Sequence, residues 1–298
     1  MSRRLLAGLF LFLLAGCGPD DPAGPAPLAD GPPYVQCVNY PLAYMAGRLA
    51  PDVDVRFEVP AGHDPAFWKP AGDKVRAFQG ATLILANGAD YAKWMKTASL
   101  PTARIVDTSA AFAKDLIDTG GGVTHSHGPD GDHTHGDLAF TTWLDFSQAI
   151  QQAEAVANEL TKRKLADAPA LDDLRVDLMQ LHDEMMRVGH ASAKQPLLAS
   201  HPVYQYLARA YGLNVKSEHF EPGKVPSDEE LEILGSMLRN YPAKLMLWEA
   251  EPLPELRARL EAMNIKSVVF ATGATTPASG DYFDIMRANV QRLEASLP

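Results

Sequence analysis

The chain has 298 residues, 46% of them hydrophobic, with 27 Lys and Arg against 37 Asp and Glu for a formal net charge of −10. That length suffices for one sizeable core or two modest ones. The negative balance argues against nucleic acid or an anionic lipid surface as a partner, and suits a soluble protein that attracts cations.

Arg3 and Arg4 precede an apolar run from Leu5 to Leu14. The run is too short to span a bilayer comfortably and has the charge order of a secretory signal, so residues 1–16 are predicted to be a signal peptide. Leu14-Ala15-Gly16-Cys17 resembles the bacterial lipobox, which implies cleavage before Cys17 and its lipidation. Residues 17–33, rich in Pro, Gly and Ala, then read as a tether reaching roughly 45 Å when extended. With Cys17 lipidated, Cys37 has no partner for an intramolecular disulfide, and its apolar setting marks it as a small buried hydrophobe. These features place the protein outside the cytoplasm, held in the bacterial cell envelope by lipid alone and facing the periplasm or cell exterior.

Beyond the tether, short β-rich runs alternate with helical stretches, the pattern of a mostly parallel sheet flanked by helices. Strands are predicted at Tyr34–Val38, Val53–Val59, Ala81–Ala86 and Ala103–Val106. Residues 34–145 thus form a first α/β lobe. Near its end, residues 124–136 read THSHGPDGDHTHG, with His125, His127, His133 and His135 beside Asp130 and Asp132 and nothing apolar to bury. Imidazole and carboxylate are ligands that zinc and its neighbours favour, so this loop points to metal handling by a flexible arm that binds fast and weakly. Residues 146–190 form a helical spacer, in which Leu171, Leu174, Leu178, Leu181 and Met185 make one apolar stripe. Strands resume at Pro196–Ala199, Leu213–Ser217, Lys244–Trp248 and Lys266–Phe270, giving a second lobe over 191–298. The expected fold is therefore α/β, two lobes of mostly parallel sheet joined by one long rigid helix.

Ligands of open α/β sheets gather beyond the carboxyl ends of the strands. In the second lobe those positions hold His201, His219 and Glu249, with Glu251 nearby; in the first they hold Asn39, Tyr40, His63, Asp64 and Asn87. Two imidazoles and a carboxylate make most of a tetrahedral zinc site, so His201, His219 and Glu249 are the candidate metal ligands. His63, or Asp64, could close the shell from across the cleft. Each also has a structural alternative, Asp64 and Ser200 being suited to start helices.

The order of these segments resembles the zinc/manganese ABC-transporter substrate-binding proteins over nearly the whole mature chain. The segments that carry the likeness are Asn39-Tyr40-Pro41-Leu42, PAGHDPAFWKP at 60–70, ATLILANGADYAKW at 81–94, the His loop, TTWLDF at 141–146 and ASHPVYQYLARAYGL at 199–213. The resemblance implies a divalent metal bound in the cleft between two lobes and delivered to an ABC permease, with no bond broken and no enzyme activity. It also implies cleft ligands at positions where this chain has Ala66, Thr141 and Ala271, leaving His201 as the one retained. Relocation of the ligands to His63, His219 and Glu249 accounts for both the gaps and the His loop.

The bound substrate is read as zinc, with manganese or another divalent metal open, because selectivity among these ions depends on geometry and availability. The protein is expected to act as a monomer. Two other classes stay open: a surface adhesion or scaffold lipoprotein that kept the fold without transport, and a zinc-dependent hydrolase. The sequence contains no HExxH or GxSxG motif to support the latter.

Overall fold

The computed structural model describes residues 31–120, 124–126, 132–134, 138–167 and 169–297. The signal segment, Cys17 and most of the tether lie outside the described residues, as do His127 and His135.

The first lobe begins with β1 (Tyr34–Cys37), buried along its whole length. It passes directly into α1 (Tyr40–Leu49), whose start is fixed by the Asn39 side chain accepting from the Leu42 N–H, with Pro41 in the first turn. β2 (Asp54–Arg56), α2 (Gly72–Gly80), β3 (Leu83–Ala86) and β4 (Ile105–Asp107) complete a four-stranded parallel sheet in the order β2-β1-β3-β4. β2 is an edge strand paired only to β1, and its pairing ends at Arg56, short of the expected Val59. The His-rich segment contains a small antiparallel hairpin, β5 (Thr124–Ser126) with β6 (Asp132–Thr134), in which His125 is in register with His133. Its stem is closed by an isolated bridge between Asp118 and Leu138.

The spacer consists of two helices. α3 (Phe146–Lys162) is capped by Asp145, which accepts from the N–H groups of Ser147 and Gln148. It ends before Lys164, whose φ of 55° breaks the helix. α4 (Leu171–Ser192) follows, 22 residues that span about 33 Å. Its stripe of Leu174, Leu178, Leu181, Met185 and Val188 is buried. Near its end Gly189 lies against the backbone carbonyl of Tyr211, an approach that a Cβ would block.

The second lobe repeats the first: β7 (Pro196–Ala199), α5 (Gln205–Tyr211), β8 (Asn214–Ser217), α6 (Asp228–Leu238), β9 (Leu245–Trp248), α7 (Pro254–Ala262), β10 (Lys266–Val269) and α8 (Tyr282–Glu294). All its strands are parallel, in the order β10-β9-β7-β8. Read from the other edge, this is the strand order of the first sheet. In each lobe the order reverses beside its first strand, and such a switch point opens a crevice at the strand ends.

One hydrophobic core runs through both lobes, from Val35 and Leu83 through Trp143 and Leu178 to Leu247 and Tyr282. A second cluster, including Trp248, Leu256 and Leu260, lies under the other face of the second sheet. The seam between lobes also carries polar ties. Asp177 on α4 meets Arg48 of α1 at 3.1 Å and Arg287 of α8 at 3.8 Å. Tyr44 donates to Asp281 at 2.9 Å, and the Trp143 indole donates to the Thr272 carbonyl at 2.7 Å. Cys37 is a buried free thiol. Among the described residues no helix is long and apolar enough to cross a membrane.

Candidate metal centre

Three of the candidate ligands stand at the mouth of the second sheet, each immediately beyond a strand. His201 follows β7, His219 follows β8 and Glu249 follows β9. Backbone bonds lock this edge: Ser200 donates to the Leu247 carbonyl and Phe220 to the Ser200 carbonyl, both at 2.8 Å. His201 is 1% exposed, whereas His219 is exposed at the rim. Their rings meet edge to face, with centroids 6.0 Å apart and planes at 90°. Two imidazoles on one tetrahedral zinc at ~2.0–2.1 Å have centroids roughly 5 Å apart, so the rings stand close to, but wider than, the spacing of a shared ion. Partial burial lowers the His219 pKa, which favours the neutral ring a metal needs.

Glu249 is half-buried. Burial pushes its carboxyl up to about 8, and the Asp64 carboxylate adds to the rise. Asp64 belongs to the first lobe, so the charges of the two acids act on each other between the lobes. Asp64 also holds its own turn, its Oδ1 accepting from the Ala66 N–H at 2.9 Å and its carbonyl from Phe67 and Trp68. It acts too on the buried Tyr91 hydroxyl, whose pKa is raised mainly by burial and further by this charge. His63, next in the chain, is half-buried with its N–H bonded to the Pro60 carbonyl. Among the described residues no three His, Cys, Asp or Glu side chains stand together as a ready metal shell. The structure thus brings His201 to His219, and Asp64 toward Glu249, without assembling His63, His201, His219 and Glu249 around one point.

The first lobe's equivalent edge is neutral. The Asn39 amide donates to Asn87 Oδ1 at 3.1 Å, and Asn87 donates to the Phe140 carbonyl at 2.9 Å. Gln152 donates to both Asn87 Oδ1 and Thr108 Oγ1. Trp68, Tyr204, Tyr206 and Trp248 are all buried packing groups.

The family model for the zinc-uptake complex component A periplasmic, ZnuA, matches residues 35–296. The chain belongs to the ZnuA family. Its relatives are extracytoplasmic metal-binding substrate-binding proteins, a class that is not enzymatic. Among solved structures, the metal-dependent lipoprotein YcdH of Bacillus subtilis superposes with a TM-score of 0.74 at 19% identity, over 89% of this chain and 99% of that one. The Zn(II)-bound ZnuA-like domain of AdcA from Streptococcus pneumoniae gives 0.73 at 17% identity, over 90% and 99%. FpvC of Pseudomonas aeruginosa, in complex with Mn2+, gives 0.70 at 19%, over 89% and 98%. Comparison with curated proteins returned no match.

At the three positions where the sequence resemblance implied ligands, the residues present are unsuited to a metal. Ala66 is buried, and Thr141 donates its hydroxyl to the Val203 carbonyl at 2.5 Å. Ala271 is clasped through its backbone by Asn289, at 3.0 and 2.7 Å. Beside His219 lies a cavity of about 170 Å³ whose lining includes Thr119, Phe140, Thr141, Gln205 and Ser217. Gln205 and Ser217 carry no motif that sequence could flag. They are ordinary residues at the start of a helix and the end of a strand; Ser217 lies two residues before His219 in the chain, and Gln205 reaches the same cavity through the tertiary fold. Leu138 and Thr119, which flank the stem of the His-rich hairpin, line the same cavity.

Proposed function

We propose that this protein captures a divalent transition metal outside the cytoplasm, zinc first, and delivers it to an ABC permease for uptake. The observation that carries the reading is the perpendicular pair His201 and His219, 6.0 Å apart at the mouth of the second sheet. Family membership and the neighbours that bind Zn(II) or Mn2+ support it. In this reading His201 and His219 hold the ion, Glu249 with Asp64 neutralises it from opposite lobes, and His63 joins if its turn moves inward. Bringing a cation between carboxyls of opposite lobes stabilises the closed arrangement, which biases the lobes toward the form a permease recognises. His125, His127, His133 and His135 raise the local ion concentration by tethered exchange. Residues 1–16 serve as signal, 17–33 as lipidated tether from Cys17, 34–145 and 191–298 as lobes, and 146–190 as spacer. The protein acts as a monomer.

Thermal melting tests the reading. A hundredfold excess of zinc over its Kd adds about 2.7 kcal/mol, a rise in Tm on the order of 5–10 °C for a chain of this size. Chelation should reverse the rise, and His201→Ala with His219→Ala should abolish it. A melt indifferent to zinc would instead favour a scaffold that kept the fold without the cargo.

A further inference from the structure

Among the described residues seven tyrosines are buried, and six of them satisfy their hydroxyls on the backbone. Tyr204 donates to the Phe270 carbonyl at 2.7 Å, for example, and Tyr241 to the Leu197 carbonyl at 3.1 Å. Tyr91 is the exception. It is 7% exposed, and its hydroxyl has no hydrogen-bond partner among the described residues. A buried hydroxyl left unpaired destabilises the fold, so its retention calls for a reason. The backbone that carries it is costly as well. Tyr91 stands on the turn after β3, flanked by Gly88, Ala89 and Asp90 on one side and Ala92 on the other, all with φ between 49° and 77°. Left-handed backbone is unfavourable for Ala and Asp, and three of the five non-Gly residues that adopt it surround this one side chain. The ring is held edge to face by Phe140, with centroids 5.4 Å apart, and by Trp143 at 5.8 Å. Clamped from two sides, it cannot swing its hydroxyl to a new partner; the partner must come to it.

The neighbouring group able to do so is Asp64. Its turn packs beside Tyr91 through Phe67, which meets the same Phe140 ring at 5.9 Å, and through Trp68, which meets Trp94 at 6.2 Å. The Asp64 charge acts on the Tyr91 phenol, and burial keeps that phenol protonated and therefore a donor. We infer that Tyr91 is a positioning residue for the metal: as the ion draws the 60–68 turn inward, the Tyr91 hydroxyl donates to the Asp64 carboxylate and holds it toward the ion. The hydroxyl is then satisfied only in the loaded protein, so loading removes a cost that the unloaded fold carries. A carboxylate held by a second group is also an oriented one, which raises its value as a partner of the metal. The inference rests on the metal-capture reading above, and adds the residue that orients its first-lobe carboxylate.

Tyr91→Phe removes the hydroxyl and keeps the ring, and two measurements on the full chain test it: thermal melting without zinc, and zinc titration in competition with a chromophoric chelator. The expected result is a crossed one. Without zinc, Tyr91→Phe should raise Tm by about 2–4 °C, because an unpaired buried group has gone. With zinc, it should weaken binding by ~10–100-fold, as loss of a group behind a ligand does. Tyr241→Phe is the control, since its hydroxyl is already satisfied far from the strand ends that carry the site. It should lower Tm and leave zinc affinity unchanged. A residue that merely supports the fold would lower Tm and affinity together, and that outcome for Tyr91→Phe overturns the inference, as does weaker binding with no rise in Tm. Zinc binding weakened less than about tenfold removes Tyr91 from the site while leaving metal capture intact, and equal weakening by Tyr241→Phe overturns the inference as well. If the intact chain binds no zinc, the metal reading falls first and the role of Tyr91 with it.

Discussion

The two lobes have the same strand order, and the pair of residues flanking each switch point differs in kind. In the first lobe Asn39 after β1 and Asn87 after β3 bond to each other and to a buried network of neutral amides and hydroxyls. In the second, the equivalent positions after β7 and β9 are followed by His201 and Glu249, with His219 alongside after β8. A neutral, mutually satisfied pair fixes geometry at little electrostatic cost. Buried imidazole and carboxyl groups destabilise the apo protein and become favourable when a cation arrives. On the proposed reading, the repeated architecture is divided into a lobe that is held and a lobe that binds.

Substitutions in the two pairs sharpen this division, and the largest effect belongs to the second lobe. His201→Ala should weaken zinc binding by more than ~100-fold, above what removal of a supporting contact costs, read by competition with a chromophoric chelator. Asn87→Ala leaves the buried Asn39 amide without its acceptor, and should cost about 1–3 kcal/mol in urea unfolding while the zinc stoichiometry is unchanged. If Asn87→Ala removed zinc and His201→Ala did not, the roles of the lobes would be reversed.

Acidity separates the lobes next. The folded state raises the Glu249 pKa to about 8, so native protein keeps a proton that the unfolded chain has released. Stability from this group is full below the ordinary carboxyl range and is lost as pH rises through about 8. In the absence of metal, Glu249→Gln should therefore flatten the fall in stability between pH 5 and 8, and unchanged parallel profiles would contradict the burial of that carboxyl. His219 shifts the other way. Its lowered pKa keeps the ring neutral below the usual histidine range, so zinc affinity should persist to lower pH than an unperturbed ring allows. Titrations with zinc at pH 7 and pH 6 check this, and a steep loss already above pH 6.5 would count against it. The smallest effect is expected from deleting residues 121–137, which should change the affinity of the tight site by less than about threefold and slow its loading.

Much of the fold was legible because it is written in periodicity. Each strand predicted from a short apolar run is present within a few residues, and the stripe from Leu174 to Met185 is the buried face of α4. The break between α3 and α4 was less visible, since it depends on the left-handed turn at Lys164, which no Gly marks. The strand-end rule located His201, His219 and Glu249 at one edge because chain topology alone sets that placement. What it could not supply was separation. Whether His63 reaches the same point depends on how the 60–68 turn folds around Asp64, which is a matter of tertiary packing. Gln205, Ser217 and Thr119 come together only through contacts distant in sequence, so the cavity they line has no local signature.

The central claim is that the second lobe's imidazoles hold the metal and that the His-rich hairpin merely supplies it. Stoichiometric zinc titration of three proteins decides it: the intact chain, the chain lacking residues 121–137, and the chain carrying His201→Ala with His219→Ala. The account predicts that deleting the hairpin removes weak equivalents and spares one tight equivalent, and that the double substitution removes the tight one. A tight equivalent that survives the double substitution would contradict it.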